Sequence, residues 1–176
     1  MQFYVTFLSI VLSNQFMIDF TNKEKVGDWY IVNDGVMGGL SKGNASIGKD
    51  GLLFYGTVSL DNNGGFTSLR SPYSNFSLGQ YTSVEIKYRS KGVRQAFQME
   101  VDRRFYLPNY KIPLQNTEDW TIVRVQLEEV QQYRMGSKTG RSLDIDTLAD
   151  IIRVGYITNE KRAGDFAFEV AYVKFE

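Results

Sequence analysis

The groups able to do chemistry in this sequence are carboxylates, amines, guanidinium groups and phenols, because its 176 residues include neither cysteine nor histidine. That absence excludes serine–histidine and cysteine–histidine catalysis, thiolate chemistry, and zinc ligation by sulfur or imidazole. Acid–base work would fall to Asp, Glu, Lys or Tyr, and a metal ion would need oxygen ligands.

Two carboxylates have a spacing that suits hydrolysis. Glu100 and Asp102 are two residues apart, which in a strand places both on one face at a separation of about 7 Å. Paired carboxylates at comparable separations hydrolyse glycosidic bonds. Alternating charges on a solvated strand face give the same pattern, and we favour that interpretation. We therefore assign no catalytic residue and expect a protein that is not an enzyme.

Two glycine-rich segments, Trp29–Ser41 and Leu60–Arg70, interrupt the strand patterns. Both place Asn or Asp beside Gly, which is typical of tight turns. The glycines of the first segment lack the spacing of a dinucleotide-binding loop. Residues 61–64 lack the downstream ligands of a calcium-binding loop. We predict no cofactor and no metal site.

The same segments supply candidate binding residues. Asn33, Asp34 and Arg70 can line one polar pocket in which the arginine grips a carboxylate or sugar hydroxyls. Alternatively, Arg70 holds the glycine-rich loop on the sheet, for example through an ion pair with Asp34, and we favour this second interpretation. Met37, between glycines, either fills the core, which we favour, or contacts a partner. Five aromatic residues are candidates for stacking on a sugar: Trp29, Trp120, Tyr106, Tyr110 and Tyr133.

The charges argue against nucleic acid as a partner. Lys plus Arg and Asp plus Glu both number 20, so the formal net charge is zero, whereas nucleic-acid binders carry a basic excess. Local basic clusters, such as the one over residues 87–94, have acidic neighbours and indicate solvated strand faces.

Period-two alternation predicts the elements that carry these residues. Apolar side chains recur at every second position around Leu52–Leu60, Val84–Tyr88, Val93–Val101, Val123–Leu127 and Phe166–Tyr172. The last of these segments is apolar on both faces, which predicts a central strand. Only Asp144–Asp150 indicates a helix, with Asp144 or Asp146 as its cap. We predict an all-β sandwich or barrel that forms a single domain over residues 15–176.

Residues 1–14 form an apolar leader. It is too short to span a bilayer as a helix, and it resembles the apolar region of a signal peptide, although no Lys or Arg precedes it. The alternative is a first strand or short helix packed on the domain. We favour export or a periplasmic location slightly over a cytoplasmic one, and we expect no integral membrane segment in the mature domain.

Three motifs carry a family resemblance. They are Asn33-Asp34-Gly35-Val36-Met37-Gly38-Gly39-Leu40-Ser41, then Phe54-Tyr55-Gly56, then Asn62-Asn63-Gly64-Gly65-Phe66-Thr67-Ser68-Leu69-Arg70. Together they resemble the complex I intermediate-associated protein family, named for a mitochondrial assembly factor of NADH:ubiquinone oxidoreductase. The likeness extends through Arg134 and Arg141, which match an aromatic-Arg-Gly-Arg stretch of that family. It implies a galactose-binding-like jelly-roll β-sandwich, an assembly or chaperone-like role, and Arg134 and Arg141 as further binding residues.

Three hypotheses for the function follow. The leading one is a non-catalytic module that binds a protein partner through the glycine-rich loops. The alternative is a carbohydrate-binding module, with exposed aromatic residues beside Asp, Asn and Arg. The third, an enzyme that uses carboxylates or a bound dinucleotide, requires a pocket with perturbed carboxylates or phosphate contacts from the first glycine-rich segment.

Overall fold

A computed structural model of the chain describes residues 14–22 and 28–176, without the side chains of residues 36 and 37. The apolar leader, apart from Asn14, and the side chain of Met37 lie outside the described residues. In this part of the chain the strands are β1 (Phe16–Asp19), β2 (Tyr30–Asn33), β3 (Lys42–Ile47), β4 (Leu52–Val58), β5 (Thr67–Arg70), β6 (Ser83–Gly92), β7 (Gln95–Glu100), β8 (Asn109–Pro113), β9 (Thr117–Gln126), β10 (Gln131–Arg134), β11 (Ser137–Ser142), β12 (Arg153–Thr158) and β13 (Gly164–Phe175). The α-helix is α1 (Ile145–Ala149), and short 3₁₀ turns occupy Asp34–Met37, Asp61–Asn63, Leu78–Gln80 and Leu127–Glu129.

The strands form two antiparallel sheets that pack as a β-sandwich. Sheet 1 has the order β3-β4-β13-β6-β9, with β1 also paired to β13. Sheet 2 has the order β11-β10-β8-β7-β12-β5-β2. The strand β13, apolar on both faces, pairs with β4 and β6 and is central in sheet 1, which confirms its predicted position. The protein is an all-β, galactose-binding-like jelly roll, as predicted.

Apolar side chains from both sheets meet in one core, because alternate residues of each strand point inward. Phe54 and Phe168 from sheet 1 and Phe97 and Tyr156 from sheet 2 are almost completely buried. The ring centroids of Tyr156 and Phe168 are 4.7 Å apart across the sandwich. The alternation of Leu52–Leu60 ends earlier than predicted, since β4 stops at Val58 and the Leu60 side chain is 44% exposed.

The predicted helix is confirmed as α1. Asp144 is its N-cap, and the Asp144 side chain accepts a hydrogen bond from the Thr147 backbone N–H at 2.7 Å. This bond satisfies one of the amide groups left free at a helix start. Among the described residues, no helix is long and apolar enough to cross a membrane.

Candidate functional site

The outer side of sheet 2 carries a row of polar side chains, which the strand register places side by side. Tyr30 lies opposite Arg70, Arg70 opposite Gly155, Gly155 opposite Gln98, and Gln98 opposite Lys111. A second row, two residues further along, pairs Arg153 with Glu100. Residues in register share one side of a sheet, as do residues two apart in a strand. We call the outward-facing side chains of Tyr30, Arg70, Gln98, Glu100, Lys111 and Arg153 the polar face.

An ion pair organises the second row. The guanidinium of Arg153 donates from Nε to Glu100 Oε2 at 2.9 Å and makes a second, shorter contact from Nη2 to the same oxygen. Both side chains are largely buried, with 4% exposure for Arg153 and 11% for Glu100. Burial alone would lower the pKa of Arg153, but the neighbouring carboxylate of Glu100 outweighs it, and the pKa lies above its usual value.

Arg153 also positions two exposed tyrosines. Its Nη1 donates to Tyr30 Oη at 2.8 Å and to Tyr73 Oη at 2.7 Å. Tyr30 is 39% exposed and Tyr73 is 37% exposed. The ring of Tyr73 additionally contacts the guanidinium of Arg103, at 4.6 Å from the ring centroid. Two partly exposed aromatic rings are therefore held in fixed positions at one end of the polar face.

The remaining cations of the polar face have no anionic partner of their own. Arg70 makes one hydrogen bond within the described residues, from Nε to Ser68 Oγ at 2.9 Å. The ammonium of Lys111 forms neither a hydrogen bond nor an ion pair with any described residue, and it lies 5.4 Å from the ring centroid of Tyr133. Lys111 is only 8% exposed, so its charge is buried without a counter-ion.

The pKa values of these two cations reflect that burial. Burial lowers the pKa of Lys111, the carboxylate of Glu100 opposes the shift, and the positive charge of Arg70 adds to it. Burial likewise lowers the pKa of Arg70, which Glu100 partly offsets. The carboxylate that opposes this lowering of the pKa in both cations is that of Glu100, and it is already bound to Arg153.

The amide oxygen of Gln98, a buried residue beside Lys111, also lacks a hydrogen-bond partner. Gln98 is 7% exposed, and its Nε2 donates to Glu100 Oε1 at 2.5 Å. Because this bond fixes which way the amide points, Oε1 is left as an acceptor, and no donor among the described residues reaches it. An unsatisfied buried acceptor is costly unless a bound group supplies the donor.

The glycine-rich loops have a different organisation, centred on Asp34. The Asp34 side chain is buried and accepts hydrogen bonds from Ser41 N at 3.0 Å, Ser41 Oγ at 2.5 Å, Gly65 N at 2.7 Å and Phe66 N at 3.2 Å. Burial alone would raise the pKa of Asp34, but these bonds outweigh it and hold the pKa below its usual value. Asp34 thus links the two loops to each other.

Glycine is required where the loops close on this carboxylate. A Cβ added at Gly39 would lie 2.3 Å from Asp34 Cγ, and one at Gly64 would lie 2.7 Å from Asp34 Oδ2. Asn33 plays a similar internal role, because its Oδ1 accepts from Thr67 Oγ1 at 2.6 Å and from Gly43 N at 3.0 Å. The two loops are held by their own side chains.

The structure separates the binding residues that the sequence suggested. Asn33 and Asp34 lie in the linked loops, whereas Arg70 lies on the polar face at the other end of β5, and its charged neighbours are Glu100 and Arg153. Among the described residues, no ion pair joins Arg70 to Asp34, so Asp34 provides the attachment that one interpretation gave to Arg70.

Arg134 and Arg141 lie apart from both groups. Both are exposed, on the β10–β11 hairpin at the edge of sheet 2. Arg134 donates from Nε to the Tyr106 carbonyl oxygen at 3.4 Å, and it follows Tyr133 in the strand, which places it on the opposite side from the polar face.

Of the five aromatic residues proposed as stacking platforms, only Tyr106 is markedly exposed, at 43%. Trp29 packs against Phe20 and Tyr156 in the core. The ring of Trp120 is covered by Arg89, 4.9 Å from the ring centroid. Tyr110 and Tyr133 are buried.

Sequence reasoning missed Tyr30, Tyr73, Gln98, Lys111 and Arg153. Their proximity depends on which strands pair, and alternation within a strand carries no information about its neighbours. Gly155 interrupts the interior of β12, and glycine at such a position often marks a close approach. Here the approaching group is the backbone of β5, because a Cβ at Gly155 would lie 2.4 Å from the Leu69 carbonyl oxygen.

The two carboxylates that suggested hydrolysis are each bound by an arginine. Strand β7 ends at Glu100, which pairs with Arg153, and Asp102 lies beyond it and accepts from Arg104 Nε at 2.9 Å and Nη2 at 2.8 Å. Within the part of the chain that the structure describes, no group of three or more acidic residues is arranged to hold a metal ion.

An open groove of about 460 Å³ lies on the outer side of sheet 1, beside Arg89 and Glu169. These two side chains form an ion pair with each other, with Arg89 Nε 2.6 Å from Glu169 Oε2. The charges of this groove are thus compensated, in contrast to those of the polar face.

Comparisons with known proteins agree with the fold. The family 11 carbohydrate-binding module of a cellulosomal cellulase of Clostridium thermocellum superimposes with a TM-score of 0.64 at 13% sequence identity, over 92% of this chain and 94% of that chain. The module from the same organism in complex with a β-1,3-1,4-mixed-linked tetrasaccharide gives a TM-score of 0.62 at 14% identity, with the same coverage.

A third structure of this kind, studied in solution, gives a TM-score of 0.53 at 14% identity, over 90% of this chain and 94% of that chain. No curated protein sequence matches the chain significantly. Residues 18–170 match the family described as Complex I intermediate-associated protein 30, CIA30. This match covers most of the sequence and agrees with the resemblance carried by the glycine-rich motifs, so the chain belongs to the CIA30 family.

Proposed function

We propose that this protein is a non-catalytic binding module that holds an oligosaccharide on the polar face of sheet 2. The observation that carries this proposal is the pair of exposed tyrosines, Tyr30 and Tyr73, whose hydroxyl groups are fixed by the buried Arg153. Rigid aromatic rings beside a few placed polar groups are typical of small-molecule sites. Because the rings are already positioned, a ligand loses little affinity to their ordering.

The similar solved structures support the same proposal. One of them contains a β-1,3-1,4-mixed-linked tetrasaccharide, and it shares the sandwich fold over nearly the whole of both chains. A non-catalytic role is supported by the pairing of Glu100 and Asp102 with arginines, since a paired carboxylate is a poor general acid near neutral pH.

The direct test is calorimetric titration of the protein with neutral and acidic oligosaccharides. We expect binding by the unmodified protein and a loss of about ten-fold or more in affinity, about 1.4 kcal/mol, for Tyr30→Ala and for Tyr73→Ala. The matched control is Tyr55→Ala, because Tyr55 is 41% exposed on the outer side of sheet 1. Equal losses in all three variants, or no binding of any saccharide, would reject the proposal.

A second candidate function is protein binding at the glycine-rich loops. Leu40 and Leu60 are 54% and 44% exposed, and they flank Ser41 and Ser59, which are hydrogen-bonded to each other. An exposed apolar pair on a rigid loop suits a protein contact, and the name of the family points to an intermediate of complex I.

This candidate is tested by co-purification with subunits of NADH:ubiquinone oxidoreductase. The double variant Leu40→Ser/Leu60→Ser should abolish co-purification, and Ile122→Ser, at a position 55% exposed on sheet 1, should not. If both variants co-purify as the unmodified protein does, the loops are not the contact.

A further inference from the structure

The charges of the polar face do not balance. Three cations, Arg70, Lys111 and Arg153, share one carboxylate, that of Glu100. Glu100 is committed to Arg153 through the contacts described above. Two positive charges therefore remain in a largely buried setting, although the whole chain has a formal net charge of zero.

A buried cation without a counter-ion is expensive, and the fold does not require one at either position. Burying an unpaired charge costs several kcal/mol in order of magnitude unless a partner or a pKa shift relieves it. An apolar side chain at position 111 would fill the same space without that cost. Perturbed, uncompensated charges of this kind concentrate at functional sites, which points to an anionic group that completes the face.

Arg70 is the more accessible of the two cations, since it is only partly buried whereas Lys111 is 8% exposed. Arg70 and Gln98 lie on either side of Gly155, which has no side chain. Arg70 presents the terminal nitrogens of its guanidinium, because its recorded hydrogen bond uses only Nε. A planar guanidinium suits a carboxylate better than any other common anion except phosphate, since both of its terminal nitrogens can donate at once.

Gln98 adds a second requirement. Its Oε1 is a buried acceptor without a donor, and it lies beside Lys111, which is directly opposite in the register. The missing group must supply a hydrogen-bond donor next to the place where an anion is needed. A hydroxyl and a carboxylate on one small ring meet both requirements.

From these observations we propose that the ligand of the polar face is an acidic saccharide of the uronic acid class, whose carboxylate lies between Arg70 and Lys111 and one of whose hydroxyl groups donates to Gln98. This proposal rests on the proposed function, and it specifies the class of saccharide. An acidic peptide would also satisfy the cations. The saccharide is favoured because the ring of Tyr30, which is 39% exposed on the same side of the sheet, is suited to the apolar face of a sugar ring. The ring of Tyr73 is already contacted by the guanidinium groups of Arg103 and Arg153, so Tyr73 contributes its exposed edge.

The experiment compares oligouronates with the same oligosaccharides after reduction of their carboxyl groups. Oligogalacturonates, alginate oligomers and glucuronate oligomers are titrated beside their carboxyl-reduced forms, which keep linkage and ring stereochemistry. We expect at least one acidic form to bind about ten-fold or more tightly than its reduced form at about 0.01 M salt, and the difference to shrink towards about 1 M salt.

Two variants assign the difference to the polar face. Lys111→Met and Arg70→Met should each lower the affinity for the acidic form more than the affinity for the reduced form, and so remove most of the preference, because only the acidic form makes a charge pair with these side chains. Lys91→Met, at an exposed position near the end of β6 in sheet 1, is the matched control and should retain the full preference.

The outcomes separate this proposal from the proposed function. Equal binding of acidic and reduced forms, or tighter binding of the reduced form, overturns the acidic class and leaves a saccharide module standing. Binding of neither form overturns both. A poly-glutamate peptide that binds more tightly than every oligouronate, and that loses affinity in Lys111→Met, would replace the saccharide with an acidic polypeptide.

Discussion

The carboxylate of Asp34 and the ammonium of Lys111 are both buried, and they differ in whether the protein supplies partners. Asp34 receives four hydrogen bonds from its own loops, so its charge stabilises the folded state. The ammonium of Lys111 donates no hydrogen bond to any described residue. The first residue therefore belongs to the architecture of the protein, and the second suggests a bound group.

Replacing Asp34 should destabilise the protein. In Asp34→Asn the oxygen that remains accepts weaker hydrogen bonds, because it carries no charge. The new NH2 group also faces N–H and O–H groups of the loops, which are themselves hydrogen-bond donors. We expect a loss of about 2–3 kcal/mol, or a fall in melting temperature of about 4–12 °C. Asp50→Asn, on an exposed turn, is the control for loss of one negative charge and should melt as the unmodified protein does. A melting temperature that is unchanged in Asp34→Asn would show that the loops do not depend on this carboxylate.

Replacing Lys111 should stabilise the protein. Lys111→Met removes a buried, unpaired charge and keeps most of the side-chain volume, so we expect a gain of about 1 kcal/mol and a rise in melting temperature of about 2–4 °C at neutral pH. Because the folded-state pKa of Lys111 lies below its usual 10.5, the cost of the charge is present below that pKa and is relieved as the pH rises past it. The advantage of the variant in thermal melts should therefore shrink in alkali, and a constant advantage would argue against burial of the charge.

Glu85 should make the protein acid-sensitive. Its carboxylate accepts from Arg124 at 2.7 Å and from Tyr172 at 2.8 Å, and with a contact from Lys174 these lower its pKa from 4.5 to about 2. A lowered folded-state pKa gives stability that is present above pH 4.5 and is lost as the pH falls towards about 2. Glu85→Gln should be less stable than the unmodified protein at neutral pH. Its stability should also fall less than that of the unmodified protein when the pH is lowered from 4.5 towards about 2. Parallel curves of melting temperature against pH for the two proteins would contradict the assignment.

At the scale of the elements, the pair Glu100–Arg153 joins β7 to β12 across the centre of sheet 2. The alternation of β7 predicted which of its side chains face the core, but not how far the others are buried. Alternation correctly predicted that Phe97 and Met99 face the core and that Gln98 and Glu100 face outward. It indicated a solvated outer side, whereas every residue of β7 is buried, because β7 lies between β8 and β12 and the long side chain of Arg153 covers Glu100.

Removing one partner of the Glu100–Arg153 ion pair should destabilise the protein strongly, whereas replacing both partners with apolar side chains should destabilise it little. We expect Glu100→Leu alone to lose about 3–5 kcal/mol, because it leaves the buried Arg153 without its counter-ion. The double variant Glu100→Leu/Arg153→Met should recover most of that loss in urea unfolding, because both charges are then absent. It should nevertheless bind saccharide weakly, since Tyr30 and Tyr73 lose the group that holds them. If the double variant loses as much stability as Glu100→Leu and Arg153→Met lose together when measured singly, the two side chains are not coupled.

Strand patterns and the one capped helix were readable from the sequence for a physical reason. Periodicity and capping are properties of a single element, such as Asp144 with Thr147 three residues on. The polar face is instead assembled from five strands that are distant in sequence, and Tyr30 and Lys111 are 81 positions apart in the numbering. Pairing of the strands decides which side chains meet, and no local pattern records it.

At the scale of the whole molecule, the two outer surfaces of the sandwich differ in how their charges are matched. On sheet 1, Arg89 pairs with Glu169, and Arg124 and Lys174 pair with Glu85. On sheet 2, the polar face keeps two uncompensated cations. The formal net charge of the chain, which is zero, does not reveal this difference, because it does not record where each charge lies.

A ligand that completes the polar face should stabilise the whole domain, because it binds only the folded state. At a free ligand concentration of about 100 times the dissociation constant we expect about 2.7 kcal/mol, or a rise in melting temperature of about 5–11 °C. Asp34→Asn should start from a lower melting temperature and show a similar rise, because Asp34 lies outside the face. A rise that is abolished in Asp34→Asn would instead place the ligand at the glycine-rich loops.

The pairing of β1 with β13 has a consequence for how the domain can be attached to other structures. Phe16 at the start of the first strand lies directly opposite Phe175 at the end of the last one, so the two Cα atoms are only about 5 Å apart. Both strands belong to sheet 1, on the far side of the sandwich from the polar face. The domain can therefore be inserted into a loop of a host protein, or circularly permuted through a short linker between these strands, with the polar face directed away from the anchor.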